Sequence, residues 1–376
     1  MLSIMEEMGV KIDFLGPNEV VLTGDRIRNY APDNELARKL RGSVLLAAPL
    51  LSRFGRVELP FPGGDRIGRR RLDTHLLIFQ EMGAAVEVTP TSYRITAPGR
   101  LHGADILLDE ASVTATENAV MAAATADGTT IIRNAACEPH VQELCRALAL
   151  AGADISGIGT NQLTINGVRS LSGADMPVGA DYLEVGSFIV LAVATKSSIT
   201  IDKASPEFLR MILFHFKRLG IEVKIEGDSI VVPADQSLEV VQDARGAIPK
   251  IEDAPWPGFP ADLMSIALVA ACQARGSVMI FEKMFESRLF FVDQLIDMGA
   301  RIVLCDPHRA VVIGPSRMYG CPISSPDIRA GMALLIAALA AQGKSVMRNI
   351  EQIDRGYERI DERLRALGAK VDRIEE

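Results

Sequence analysis

Apolar residues recur along the chain in two interleaved patterns. The first is an amphipathic helix end, an apolar residue, Gly, and then a strand in which apolar and polar positions alternate. Its copies are MEEMGVKIDF (5–14), FQEMGAAVEV (79–88), LALAGADISG (148–157), FKRLGIEVKI (216–225), LIDMGARIVL (295–304) and LRALGAKVDR (364–373). Their glycines, 9, 83, 152, 220, 299 and 368, are spaced by 74, 69, 68, 79 and 69 residues. Gly just past a helix end takes the left-handed conformation without strain, so six copies of one supersecondary unit are predicted. The second pattern lies between those glycines. SVLLAAPLLSRFG, ENAVMAAATADG, SFIVLAVATKSS, SIALVAACQARG and MALLIAALAAQG read as helices apolar nearly all round, each leading into a β-rich stretch. Helices of that kind belong inside a core and not on a sheet with one wet face. The first copy is shorter than the rest. Only eight residues precede Gly9, so Met1 is expected to stand inside a helix and the buried helix of that repeat to be absent, as in a gene start internal to the fold or a fragment.

The composition narrows the class. The 376 residues suffice for two or three domains, and 48% hydrophobic against 23% charged residues is globular usage. A net charge of −8 and a pI near 5.4 exclude a nucleic-acid binder that works by general positive charge. The cysteines at 137, 145, 272, 305 and 321 show no metal or disulfide spacing. The longest apolar run, 332–341, is too short to span a bilayer. The expectation is a soluble cytoplasmic protein without metal or cofactor, a monomer or weak oligomer.

Polar residues gather where the apolar helices begin. Arg41 precedes SVLLAAP, Glu184 precedes SFIVLAV, Asp262 lies in PWPGFPADLMS, and Asp327 with Arg329 precedes MALLIAA. Unpaired N–H groups and a positive partial charge make helix starts anion sites. Asp262 and Asp327 are equally readable as capping acids. Arg41 and Arg329 oppose the helix dipole, so each calls for an anionic partner, a protein carboxylate or a ligand. The loop PFPGGDRIGRRRLD (60–73) places Asp65 and four arginines after Pro-Gly-Gly. It fits a solvated basic loop, a nucleic-acid patch or a phosphate-gripping lid. IDRGYERI (353–360) is expected to open the last repeat helix, with Arg355 and Arg359 either pairing with Glu358 and Glu362 or facing a ligand. FESRLFFV (285–292) holds the equivalent place one repeat earlier, with Arg288. Phosphate-loop, dinucleotide and nucleophile motifs do not occur, and His75, His102, His140, His215 and His308 read as structural or exposed.

The six repeats, PGGDRIGRRRLDTH, APWPGFPADL, PDIRA and IDRGYERIDERLRALGA resemble the enolpyruvyl transferases over nearly the whole chain. The resemblance implies an α/β fold, a two-domain inside-out α/β barrel with helices within and sheets outside. Three repeats per domain place the first at 1–225, with the lid loop, and the second at 226–376. It implies transfer of the enolpyruvyl group of phosphoenolpyruvate to a sugar 3′-hydroxyl of UDP-N-acetylglucosamine, with phosphate release, in peptidoglycan precursor synthesis. Another acceptor, a nucleotide or shikimate 3-phosphate, and a truncated UDP-sugar-binding paralogue without activity are the alternatives. By motif position, Arg41, Arg70 and Arg355 would grip phosphoenolpyruvate, Asp262 would take the hydroxyl proton, and Asp327 with Arg329 would line the cleft. Glu184, Met284 and Arg288 stand at further substrate positions. Ser112, Val113 and Thr114 match the segment near the UDP diphosphate, and Arg71, Leu72 and Asp73 follow the lid toward the uracil. Two departures stand out. Asp65 occupies a position where most members carry Cys, thought to serve as a general acid; Asp65 is assigned that role here. The Lys-Asn pair of the family's first repeat is absent.

Overall fold

The computed structural model describes residues 1–65 and 67–374. Contacts divide the chain into two units, one of residues 1–65 with 70–178 and one of residues 67–69 with 179–374. The boundary therefore falls at 178/179 and not at the expected 225/226. Its cause is the helix Tyr182–Ala194, which packs on Met264–Gln273 and Ile328–Ala340. Ile230 and Val232, on the sheet that follows that helix, are buried in the same core. Elements that share one core cannot belong to different domains.

The glycine pattern is carried out residue by residue. Gly9, Gly83, Gly152, Gly220, Gly299 and Gly368 all have positive φ, between 79° and 103°. Behind the first five runs an antiparallel hairpin, from Lys11–Gly16 with Glu19–Thr23 to Ile302–Asp306 with Arg309–Gly314. The chain starts within the helix Leu2–Glu7, as its first residues imply.

In the first unit the helix Val113–Ala124 is the centre, packed by Ala47–Phe54, Asp73–Glu81 and Pro139–Leu150. Eight of its twelve residues are buried, and the other four, Val113, Thr114, Glu117 and Met121, are half-buried along one face. The strand order Asp105–Leu107, Thr129–Arg133, Gln162–Asn166, Asp154–Ser156 begins with a parallel pair and ends with a hairpin. The second unit repeats this order with Lys250–Glu252, Gly276–Phe281, Arg309–Gly314 and Ile302–Asp306. Along Arg309–Gly314 the alternation decides the layering: Ala310 and Val312 are buried while Arg309 and Ile313 face out. Each unit thus buries its apolar helices together with the inner face of its sheets and leaves the outer face exposed. Truncating a fully buried side chain of such a helix, Leu268 for instance, costs about 2–5 kcal/mol. No helix among the described residues is long and apolar enough to cross a membrane.

Candidate active site

The first unit assembles arginines around a tight loop. Arg41 opens the 3-10 turn Arg41–Leu46, where a cation opposes the helix dipole. Its Nη2 donates to the Arg71 carbonyl at 2.9 Å. Burial, and then the charge of Arg70, lower its pKa to about 10, with Glu110 acting in the opposite sense. Gly64 lies against the stem of Arg41 and the guanidinium of Arg70: a Cβ there would lie 3.0 Å from Arg41 Cβ and 3.7 Å from Arg70 Nη1. A Cβ on Gly63 would fall 1.4 Å from the Arg38 carbonyl oxygen, so the loop passes only as glycine. Two guanidinium groups held together repel, and an anion between them relieves the repulsion. Arg71 is occupied differently, donating to Asp109 Oδ2 at 3.0 Å with Asp73 Oδ2 3.7 Å away. Leu72 is buried and caps the helix that Asp73 begins. Asp65 and Arg70 each hold a polar contact.

Ser112 caps the helix Val113–Ala124, its Oγ accepting the Ala115 N–H at 3.4 Å. The backbone of 112–114 therefore presents a helix N-terminus, the arrangement that suits a phosphate group. Thr114 is fixed by a buried network that the sequence did not reveal. Asn118 accepts the Ala48 N–H and donates from Nδ2 to Val44 O and His75 Nδ1, each at 3.0 Å. His75 then carries its proton on Nε2 and donates to Thr114 Oγ1 at 3.2 Å. Burial, and then Arg41, lower the His75 pKa to about 3, so the ring is neutral.

The second unit centres on Asp262. Arg288 Nη2 donates to its Oδ1 at 2.5 Å, and Arg329 Nε to its Oδ2 at 3.3 Å. Burial opposes ionisation, but the two guanidinium groups outweigh it and hold the carboxyl below its ordinary range. Asp262 is therefore an ion-pair partner and not a cap. Asp327 is the cap, accepting the N–H groups of Arg329 and Ala330 at 2.8 and 2.9 Å. Arg329 lies 5.5 Å over the Tyr357 ring, and its buried Nη1 makes no hydrogen bond among the described residues. A buried donor without a partner is costly; the anion that the sequence called for at Arg329 is Asp262, reached through Nε.

Other expected positions are dispersed. Glu184 pairs with Arg363 and lines an open cavity of about 530 Å³ with Asp181, Asp202 and Lys203. Asp181, which caps Glu184's helix, adds its charge to the larger effect of Asp262 on Arg329. Met284 is exposed, its N–H donating to Asp253 Oδ2 at 3.1 Å. Arg355 donates to Gln352 Oε1 at 2.8 Å from the end of the short helix Glu351–Asp354. That helix corrects the reading of 353–360 as the start of one helix. The last repeat helix begins at Ile360, after Arg359 at φ 47°, and Arg359 pairs with Glu362.

The family model for EPSP synthase (3-phosphoshikimate 1-carboxyvinyltransferase) matches residues 1–364. The UDP-N-acetylglucosamine 1-carboxyvinyltransferase of Bradyrhizobium diazoefficiens is 54% identical over 376 residues, all of this chain and 87% of the relative. The chain belongs to the enolpyruvyl transferase family. An enzyme of the same name from Treponema denticola is 53% identical over 372 residues, 99% of this chain and 87% of the relative. Among solved structures, the enolpyruvyl transferase NikO from Streptomyces tendae aligns with a TM-score of 0.83 at 25% identity, covering 98% of this chain and 86% of that one. EPSP synthase from Acinetobacter baumannii, at 18% identity and a TM-score of 0.72 over 99% of this chain and 87% of that one, shares the fold. The family fold of buried helices and outer sheets is the one observed.

Proposed function

We propose that the chain transfers the enolpyruvyl group of phosphoenolpyruvate to the 3′-hydroxyl of UDP-N-acetylglucosamine, releasing phosphate, as a cytoplasmic step of peptidoglycan precursor synthesis. The observation that carries this reading is Asp262, held ionised between Arg288 and Arg329 next to an unpartnered buried donor. The acceptor is chosen by the relatives: those about half identical over the whole chain carry the UDP-sugar name. The shikimate acceptor is the second reading, supported by the description of the family model.

Addition joins the sugar oxygen to C2 of phosphoenolpyruvate while Asp262 takes the hydroxyl proton. C3 gains a proton, for which Asp65 is the candidate donor. Elimination then removes a C3 proton and breaks the C2–O bond to phosphate. Arg41 and Arg70, with Arg355, hold the phosphate and carboxylate; Arg329 and Arg288 orient Asp262. The N-terminus of Val113–Ala124 takes the diphosphate, with Thr114 set by His75, while Arg71, Leu72 and Asp73 shape the uracil end and Glu184, Met284 and Asp327 its surroundings.

The test is phosphate release from phosphoenolpyruvate with UDP-N-acetylglucosamine, with shikimate 3-phosphate, and with no acceptor. Release is expected with the UDP-sugar alone, and Asp262→Asn lowers kcat by about 10²–10⁴-fold. Release with shikimate 3-phosphate in its place, or none from the folded chain, would sink the assignment.

A further inference from the structure

Behind Asp262 lies a second acidic pair. Strand Lys250–Glu252 runs parallel to Gly276–Phe281 with Glu252 opposite Phe281, so the next residue on each strand is a carboxylic acid, Asp253 and Glu282. Both are fully buried. Asp253 accepts the Lys283 N–H on Oδ1 at 2.5 Å and the Met284 N–H on Oδ2 at 3.1 Å. Glu282 Oε1 accepts the Phe285 N–H at 3.1 Å. Its Oε2 has no hydrogen-bond partner among the described residues and lies 3.8 Å from Arg288 Nε, which is likewise unpartnered.

Adjacent carboxyl groups in a dry interior do not both ionise. Asp253 accepts two N–H donors where Glu282 accepts one, so the proton is held on Glu282. Burial, then Asp253, raises the Glu282 pKa to about 9, against the opposing charge of Arg288. His308 also faces this residue, its Nδ1 2.7 Å from the Glu282 carbonyl oxygen. Arg288 is 4% exposed and has one charge to share. An ionised Glu282 would compete with Asp262 for it.

We propose that Glu282 is a positioning residue for Asp262: kept as the neutral acid beside Asp253, it leaves the Arg288 charge to Asp262 and so sets that carboxylate's orientation and basicity. The effect on turnover rests on the reading of Asp262 as the base; the effect on its titration does not.

The experiment compares Glu282→Gln, Asp253→Asn and the double variant with the parent chain. It measures kcat and KM across pH, and the Asp262 titration by carbon NMR in ligand-free protein. Glu282→Gln mimics the neutral acid and is expected to keep kcat within about twofold. Asp253→Asn lets Glu282 ionise and draw Arg288 away. The Asp262 midpoint and the acid limb of kcat then move up in pH, and kcat falls about tenfold below neutral pH with KM unchanged. The double variant restores both. Glu282→Gln as impaired as Asp253→Asn, or a double variant no better than Asp253→Asn alone, overturns the proposal. Should the parent chain release no phosphate, the function assignment fails separately. An upward Asp262 shift in Asp253→Asn, reversed in the double variant, would still uphold the coupling, and its absence would overturn it.

Discussion

Asp65, which the resemblance places where most of the family carries Cys, carries a prediction of its own. A carboxylate is a poor nucleophile toward an epoxide beside a thiolate, and fosfomycin acts by alkylating the cysteine that usually stands at this position. Phosphate release is therefore expected to survive incubation with fosfomycin, with no adduct on Asp65 by mass spectrometry. Asp65→Cys is expected to become sensitive. Labelling at residue 65 of the parent chain would contradict this. The same scale shows what single residues disclosed before the fold was known. Arg329 and Arg41 stood out because a cation at a helix start calls for an anion; the structure gives Arg329 the carboxylate of Asp262, whereas Arg41 donates to the Arg71 carbonyl. Asp262 and Asp327 were indistinguishable in sequence, since a carboxylate before a helix fits a cap or an ion pair. Only the arrival of Arg288, from 26 residues further on, separates them. Asp253, Glu282, Asn118 and His75 left no signal, because each acquires its role from strand register or helix packing across long stretches of chain.

The buried helices were legible as elements, since apolar residues on every side leave no other place for them. Their exceptions are informative. On Val113–Ala124, Glu117 is largely buried, and burial, followed by the charge of Glu138, raises its pKa to about 7. A free glutamate titrates near pH 4.3. The folded form thus binds the proton more tightly, and the stability this gives is present below about pH 4.3 and lost as pH rises to about 7. Glu117→Gln removes the ionisation. Its melting temperature relative to the parent is expected to rise across that window and to level off above it. A difference that is flat with pH would show that Glu117 titrates as an exposed acid. The loop elements were less legible. The segment 353–360 reads as a helix start from its charges, yet Arg359 breaks it at positive φ, a backbone choice that composition does not announce.

At the scale of the whole molecule, the division expected at 225/226 falls instead at 178/179. Spacing counts glycines, whereas a domain is defined by which helices share a core. Two apolar cores result: one includes Val120 and Ile132, the other Ile189, Leu268 and Ile336. Chains built this way depart from a single two-state transition. The single Trp provides a reporter, because Trp256 lies 5.5 Å from the ring of Tyr182 within the second unit. In denaturant, Trp fluorescence is expected to follow the second unit, while far-ultraviolet circular dichroism follows both. Leu268→Ala opens a cavity among the three packed helices of that unit and should lower its stability by about 2–5 kcal/mol. The fluorescence midpoint should fall accordingly. Ile132→Ala, in the other core, should change the circular dichroism profile and leave the fluorescence midpoint where it was. Movement of the fluorescence midpoint by both substitutions would mean that the two cores unfold as one.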